Sequence, residues 1–171
     1  MIVVADSSPL NYLVLINEIR ILHELFGRVV VPEAVVRELQ SPQTPPKVAE
    51  WMAARPKWLD VQSPSAPTAD PDLERLGAGE REAIQYAFEH RADALLLIDE
   101  GKGRREATRR QIRIIGTLGI LKLAAERDLL NLPAAIERLT KTTFHVTPAL
   151  LRRLLERRAE RKPPQRPRRK H

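Results

Sequence analysis

The chain has no cysteine among its 171 residues, which excludes disulfides, thiol nucleophiles and cysteine-ligated zinc. Aromatic residues make up only 4% of it, so little of its surface can serve for aromatic stacking. The longest uncharged apolar runs, such as residues 94–98, are far shorter than the roughly 20 residues of a membrane span. The first six residues lack a basic segment and reach an acid at Asp6, so they do not predict a signal peptide. We therefore expect a cytoplasmic protein with no membrane association.

What is present suffices for one domain, because 43% of the residues are hydrophobic and single cores usually occupy about 100–200 residues. The net charge of +7 is concentrated at the C terminus. Residues 151–171 carry ten basic and two acidic side chains, whereas the rest of the chain carries 19 basic and 20 acidic ones. This asymmetry is typical of basic arms that bind nucleic acid, and a solvated end without a specific role is the alternative.

Short apolar runs typical of buried strands alternate with amphipathic helical patterns along the chain. The predicted strands are 2–5, 28–31, 58–61, 94–98 and 112–115, with a last strand expected at 144–146. Residues 62–76 contain three prolines and are expected to form a long loop. This alternation favours an α/β fold with a parallel sheet covered on both faces. We expect the folded domain to span 1–146, followed by an amphipathic helix over 147–161 and a basic disordered tail over 162–171.

Acidic side chains follow two of the predicted strands. Asp6 follows the first strand and Asp99 follows the fourth. Because the carboxyl ends of parallel strands share one edge, where open α/β sheets bind ligands, we expect these two side chains to be neighbours. The alternative is that each aspartate only caps the helix that follows it.

Two glutamates add to this set from predicted helices. Glu80 precedes Ile84 by one helical turn and therefore lies on an inward-facing stripe, and Glu38 lies in an earlier helix. The alternative for Glu80 is a first-turn acid that only complements the helix dipole. Glu82 lies off the stripe and is expected to be solvated.

Several carboxylates at one edge would repel one another unless a cation offsets them. Because cysteine is absent and the four histidines form no ligand-like pair, the available ligands are hard oxygens, which favour Mg²⁺ or Mn²⁺. Such ions suit phosphodiester cleavage, since they activate a water and stabilise the charge that develops on the phosphate.

Five segments in this order resemble the PIN-domain nucleases, most closely the PIN-like branch of predicted nucleic-acid-binding proteins. The first is Asp6-Ser7-Ser8-Pro9-Leu10, and the others are VPEAVVREL at 31–39, LGAGEREAI at 76–84, LIDEGKGRREA at 97–107 and IGTLG at 115–119. Each segment alone is unspecific, whereas five in one order are specific. The resemblance extends from residue 1 to about residue 145.

The resemblance implies a three-layer α/β/α sandwich around a parallel sheet of about five strands, and a ribonuclease dependent on Mg²⁺ or Mn²⁺. The catalytic and metal-binding acids that it implies are Asp6, Glu38, Glu80 and Asp99. The family pattern has Asp-Asp where this chain has Asp99-Glu100, and Glu100 is included as a metal ligand through its longer side chain. Many PIN proteins are toxins of toxin–antitoxin pairs, so a small cognate antitoxin protein and a homodimer are expected partners beside RNA.

Several other polar side chains are candidates for contacts with nucleic acid. Ser8 and Thr117, at strand ends, are placed to bind a metal-bound water or a phosphate, and helix capping is their alternative role. Basic residues just beyond Asp99 either hold phosphates or form a solvated helix face; they are Lys102, Arg104 and Arg105. The tail adds Arg161, Arg166, Arg168 and Arg169. With so few aromatics, any base preference is expected to be modest or led by shape.

The sequence thus predicts a PIN-type endoribonuclease that uses water to cut RNA. The alternative is a catalytically silent PIN-like module that binds nucleic acid or protein, which the basic tail and the departure at Glu100 would also fit. A phosphotransfer receiver or phosphatase is disfavoured, because Asp6-Ser7-Ser8 lacks the second aspartate that such a site needs. A leucine stripe at 150, 151, 154 and 155 offers a surface for a partner helix or a second copy of the chain.

Overall fold

The computed structural model describes residues 1–66, 69–99 and 101–160, without the side chains of 157–160. Within these residues, strands β1 (Ile2–Ala5), β2 (Val29–Val31), β3 (Leu59–Val61), β4 (Ala94–Leu97) and β5 (Arg113–Ile115) form one sheet. All of its strands are parallel, and their order is β3-β2-β1-β4-β5. The chain therefore reverses its direction of winding at β1, and the crevice at the carboxyl ends of β1 and β4 is the expected place for a ligand.

Helices connect the strands and follow the last one. Those before β4 are α1 (Ser7–Leu15), α2 (Ile21–Phe26), α3 (Glu33–Glu38), α4 (Pro46–Ala53), α5 (Pro71–Glu74) and α6 (Ala78–Glu89). Those after β4 are α7 (Gly101–Arg109), α8 (Thr117–Glu126), α9 (Leu132–Thr140) and α10 (Pro148–Glu160). No helix in the described part of the chain combines the length and the apolarity needed to cross a membrane.

The sheet separates two hydrophobic cores. Side chains of β1 alternate between them, since Val3 and Ala5 belong to the core beneath α1, α4, α8 and α9, whereas Val4 belongs to the core beneath α6 and α7. Helices therefore cover both faces of the sheet, and the expected three-layer α/β/α sandwich around five parallel strands is confirmed. This packing fixes the carboxyl ends of the central strands at one edge of the molecule.

Two local predictions were wrong. Residues 144–146 do not form a strand, because the Phe144 ring packs edge-on against Tyr12 of α1, with 4.9 Å between ring centroids, instead of extending the sheet. The proline-rich loop contains helix α5, which Asp70 caps by accepting the Asp72 backbone N–H, and Pro71 occupies its first turn. Both exceptions lie outside the five strands, so they leave the sheet order unchanged.

The C-terminal helix α10 uses much of its leucine stripe within the chain. Leu151, Leu154 and Leu155 are partly buried against the core that contains α1 and α8. This packing places the helix beside the rest of the fold.

Candidate active site

The two aspartates predicted to be neighbours lie at the ends of adjacent central strands. Asp6 directly follows β1, and its backbone N–H donates a 3.0 Å hydrogen bond to the carbonyl of Leu97, the last residue of β4. Asp99 follows two residues after that carbonyl. Glu38 ends α3 and Glu80 lies in the first turn of α6, and these two helices pack against each other.

Asp6 is the most unusual of these side chains, because it is only 3% exposed. Among the described residues its Oδ1 atom has no hydrogen-bond partner, and the side chain does not cap α1, so the capping role is not observed. Burial raises the pKa of the Asp6 carboxyl to about 7; the Ser7 backbone N–H opposes this, and the charges of Glu80, Glu38 and Asp99 add to it. A buried oxygen without a hydrogen-bond partner lowers the free energy of unfolding by about 1–3 kcal/mol, so a ligand that binds this atom would stabilise the protein.

Ser7 and Gly79 hold the Glu38 carboxylate from two other segments. The Ser7 hydroxyl donates to Oε2 at 2.6 Å, and the Gly79 backbone N–H donates to Oε1 at 2.7 Å. A Cβ atom at position 79 would lie 2.8 Å from Oε1 and closer still to Oε2, so the carboxylate occupies the space that any other residue would need. The role of Ser7 was missed in the sequence, although its position directly after Asp6 was a usable signal.

Asp99 is held at the start of α8. Its carboxylate accepts the Thr117 backbone N–H at 2.7 Å and the Thr117 hydroxyl at 2.6 Å, and the Ser8 hydroxyl donates to it at 3.1 Å. A Cβ at Gly116 would lie 2.9 Å from Oδ1. Ser8 and Thr117, predicted to contact water or phosphate, therefore orient Asp99 in this structure.

Glu80 reaches from α6 toward α7, where its Oε1 atom is 3.1 Å from the position that a Cβ of Gly103 would occupy. Its neighbour Glu82, predicted to be solvated, is partly buried. Glu82 accepts the Ala34 backbone N–H at 3.0 Å and so complements the start of α3, the helix that carries Glu38. This bond ties α3 to α6 beside the carboxylates.

We call Asp6, Glu38, Glu80 and Asp99 the carboxylate cluster, because the charges of the last three act on the first. Among the described residues, no ion pair joins Asp6, Glu38 or Asp99 to a lysine or arginine. The donor atoms are carboxylate oxygens, which fit a hard divalent cation, and the unbonded oxygen of Asp6 is the atom most in need of one. The arrangement is not a finished cage, since no three His, Asp or Glu side chains in the described ranges already converge as metal ligands.

The predicted phosphate-binding side chains of α7 lie on the helix that follows Asp99. Lys102 and Arg105 are exposed, and Arg104 is partly buried, with its guanidinium donating to the Ile98 carbonyl at 3.0 Å. Arg104 and Asp99 also line one open cleft of about 740 Å³. The remaining predicted residues lie outside the described part of the chain: Glu100, Arg161, Arg166, Arg168 and Arg169.

Comparison with known proteins places this geometry in a family. No curated protein matches the chain. The family model DUF3368, described as a PIN domain, matches residues 2–160. That match covers all five strands and all the carboxylates described above, and PIN domains are in general nuclease modules. The chain therefore belongs to the PIN-domain family.

Proposed function

We propose that the protein is an endoribonuclease dependent on Mg²⁺ or Mn²⁺ that cuts RNA by attack of water on a phosphodiester. The observation that supports this most is the buried Asp6 carboxylate, whose Oδ1 atom has no hydrogen-bond partner in the described part of the chain while three further acids act on it electrostatically. A buried carboxyl group of this kind is stable only when it is protonated or when a cation binds its ionised form.

The residues divide into three roles in this proposal: holding the cation, orienting the carboxylates and binding phosphate. Asp6, Glu38, Glu80 and Asp99 would hold the cation, with Glu100 as a further candidate ligand. The cation, when bound, would supply an activated water and stabilise charge on the phosphate. Ser7, Ser8 and Thr117 keep two of the carboxylates oriented, since they donate to Glu38 and Asp99. The phosphate groups of RNA would be bound by Lys102, Arg104 and Arg105 on α7 and by Arg161, Arg166, Arg168 and Arg169.

The test is cleavage of an end-labelled single-stranded RNA with Mn²⁺, Mg²⁺ or a chelator. We expect metal-dependent product and a loss of rate of at least about 100-fold in Asp6→Asn and in Asp99→Asn, because each removes a direct ligand. Asp128→Asn is the matched control. Asp128 is exposed, lies beyond the far end of α8, and has a φ of 58°, which asparagine adopts readily. Wild-type rates in Asp6→Asn would refute the proposal.

A catalytically silent module is the second candidate, and one observation favours it. Glu38 and Asp99 already accept two and three hydrogen bonds within the chain, and no ready set of three ligands exists among the described residues. This candidate predicts that RNA binds equally with and without Mn²⁺ and that no product forms. The same assay, combined with a binding measurement, therefore separates the two functions.

The family resemblance extends the proposal to partners. A toxin of a toxin–antitoxin pair would bind a small cognate antitoxin protein and would form a homodimer. Expression should then arrest growth, and co-expression of the neighbouring reading frame should relieve the arrest. Sedimentation of the purified chain tests the homodimer, and sedimentation as a monomer would contradict it.

A further inference from the structure

A cleft of about 740 Å³ opens beside the carboxylate cluster, and its far wall has no role in the function proposed above. Ser8, Asp99 and Arg104 line it where it meets the cluster. Its other wall includes Tyr12 of α1 and the segment 143–145, which follows α9. The cleft therefore leads from the site of proposed cleavage to a place where two aromatic rings meet.

The aromatic wall is held in place by the fold. Tyr12 and Phe144 pack edge-to-face, with an interplanar angle of 86°, and both pack against the core. The Tyr12 hydroxyl is 2.9 Å from the Thr143 hydroxyl. The Thr142 hydroxyl donates to the Leu139 carbonyl at 2.6 Å and accepts the Phe144 backbone N–H at 3.2 Å, which anchors the segment to the end of α9.

The same wall carries polar groups that remain accessible. Thr143 and His145 are exposed beside the half-buried Phe144. At the other end of the cleft, the Arg104 guanidinium supplies positive charge next to Asp99. The volume lies within the range of about 300–1,000 Å³ that small-molecule sites occupy.

We propose that this cleft binds the base and ribose of the RNA nucleotide adjacent to the scissile phosphate, with Phe144 as the principal contact of the base. The inference rests on the proposed function for the position of that phosphate. Three features select a nucleotide: an aromatic surface contacts the base, hydroxyl and imidazole groups serve the ribose and base edges, and Arg104 provides a cation for the phosphate. Continuity with Asp99 favours this occupant over a protein segment, since a nucleotide here is joined directly to the bond that is cut.

The experiment measures the affinity and the stacking of one base. The probe is a short single-stranded RNA with one 2-aminopurine, whose fluorescence is quenched when it stacks. Binding is measured on full chains that carry Asp6→Asn, so that cleavage does not interfere. We expect Phe144→Leu, which keeps apolar volume but removes the aromatic face, to bind about 5- to 10-fold more weakly and to lose the quenching.

Phe88→Leu is the matched control, because Phe88 is 40% exposed on α6 and contacts Arg91, away from the cleft. It should bind and quench as the parent chain does. His145→Ala changes an exposed side chain of the cleft and should weaken binding about 2- to 5-fold, so it decides the question if Phe144→Leu does not fold. Thermal unfolding of each variant establishes that it is folded.

In chains with Asp6 intact, Phe144→Leu should raise KM and leave kcat nearly unchanged. Failure of the cleft and failure of the proposed nuclease are distinguishable. If the wild-type chain shows no cleavage but Phe144→Leu weakens binding and abolishes quenching, the cleft is supported while the nuclease fails. If the chain cleaves and both cleft variants bind and quench as the Phe88→Leu control does, the cleft proposal is overturned. Loss of self-association or of antitoxin binding in Phe144→Leu, with RNA affinity unchanged, would also overturn it and assign the cleft to a protein.

Discussion

Replacing Asp6 with asparagine should stabilise the metal-free protein at neutral and alkaline pH. The Asp6 carboxyl has its pKa raised from 3.8 to about 7, chiefly by burial. Between these two values the unfolded chain has lost the proton while the folded chain keeps it. The free energy of unfolding of the wild type therefore falls as pH rises through this window, and the penalty is complete above pH 7.

The size of the effect follows from the same two values. At 1.36 kcal/mol for each pH unit, the interval from 3.8 to about 7 corresponds to about 4 kcal/mol. Between pH 5 and pH 8 the wild type should lose about 2.7 kcal/mol relative to Asp6→Asn, which does not titrate. The repulsion from Glu38, Glu80 and Asp99 is already part of this pKa shift, so the figure of about 4 kcal/mol includes it.

Urea unfolding of both chains at pH 5, 6, 7 and 8, with a chelator present, measures this difference. Adding Mn²⁺ at pH 8 should offset about two-thirds of the deficit of about 4 kcal/mol, because a ligand at 100 times its dissociation constant stabilises the wild type by about 2.7 kcal/mol. The same ion should bind the variant much more weakly. A stability difference that stays constant from pH 5 to pH 8 would refute the reasoning about Asp6. Equal stabilisation of both chains by Mn²⁺ would place the metal elsewhere.

Three further outcomes are expected. Gly79→Ala should reduce cleavage about tenfold or more because it displaces the Glu38 carboxylate, and the helix preference of alanine, about 1 kcal/mol, should offset only part of the hydrogen bonding that is lost; unchanged cleavage would contradict this. Ser7→Ala should lower the free energy of unfolding by about 1.5–3 kcal/mol in urea titrations, since it removes a hydrogen bond to a charged group, and Ser7→Thr should restore most of the loss. Deleting 161–171 removes six basic side chains, so the slope of log affinity for single-stranded RNA against log salt should fall by up to about 4; an unchanged slope would show that this segment makes no phosphate contacts.

The strands and their parallel pairing could be predicted because the pattern that defines them is local. Apolar runs such as those of β1 and β4 are too short and too uniformly apolar for an amphipathic helix, and alternation with helices dictates parallel pairing. The segment 144–146 has the same local character, yet its Phe144 packs against Tyr12, which is distant in sequence. Local pattern alone contains no information about such a partner.

Some features of the candidate site could likewise be predicted from local pattern and topology, and others could not. The positions of Asp6 and Asp99 at strand ends could be predicted, because topology alone places them at one edge. The bonds from Ser7 to Glu38 and from Glu82 to the start of α3 could not, since each depends on how α3 packs against α6. Glu82 was judged by its own helix face, whereas its partner is the backbone N–H of Ala34 on another helix.

The hydrogen bonds also give a structural role to residues in the segments that resemble the PIN-domain nucleases. Three consecutive residues after the central strand each act on a different part of the cluster: Asp6 contributes the buried carboxylate, Ser7 binds Glu38 and Ser8 binds Asp99. The Glu38 and Asp99 carboxylates each accept a further hydrogen bond from a backbone N–H group, that of Gly79 and that of Thr117 respectively. The glycines of the LGAGE and IGTLG segments at positions 79 and 116 leave room for the carboxylates, since a Cβ at either position would collide with one of them. Hydrogen bonds therefore join these segments into one unit. A substitution in any of them should displace the Glu38 or the Asp99 carboxylate before it disrupts the rest of the fold.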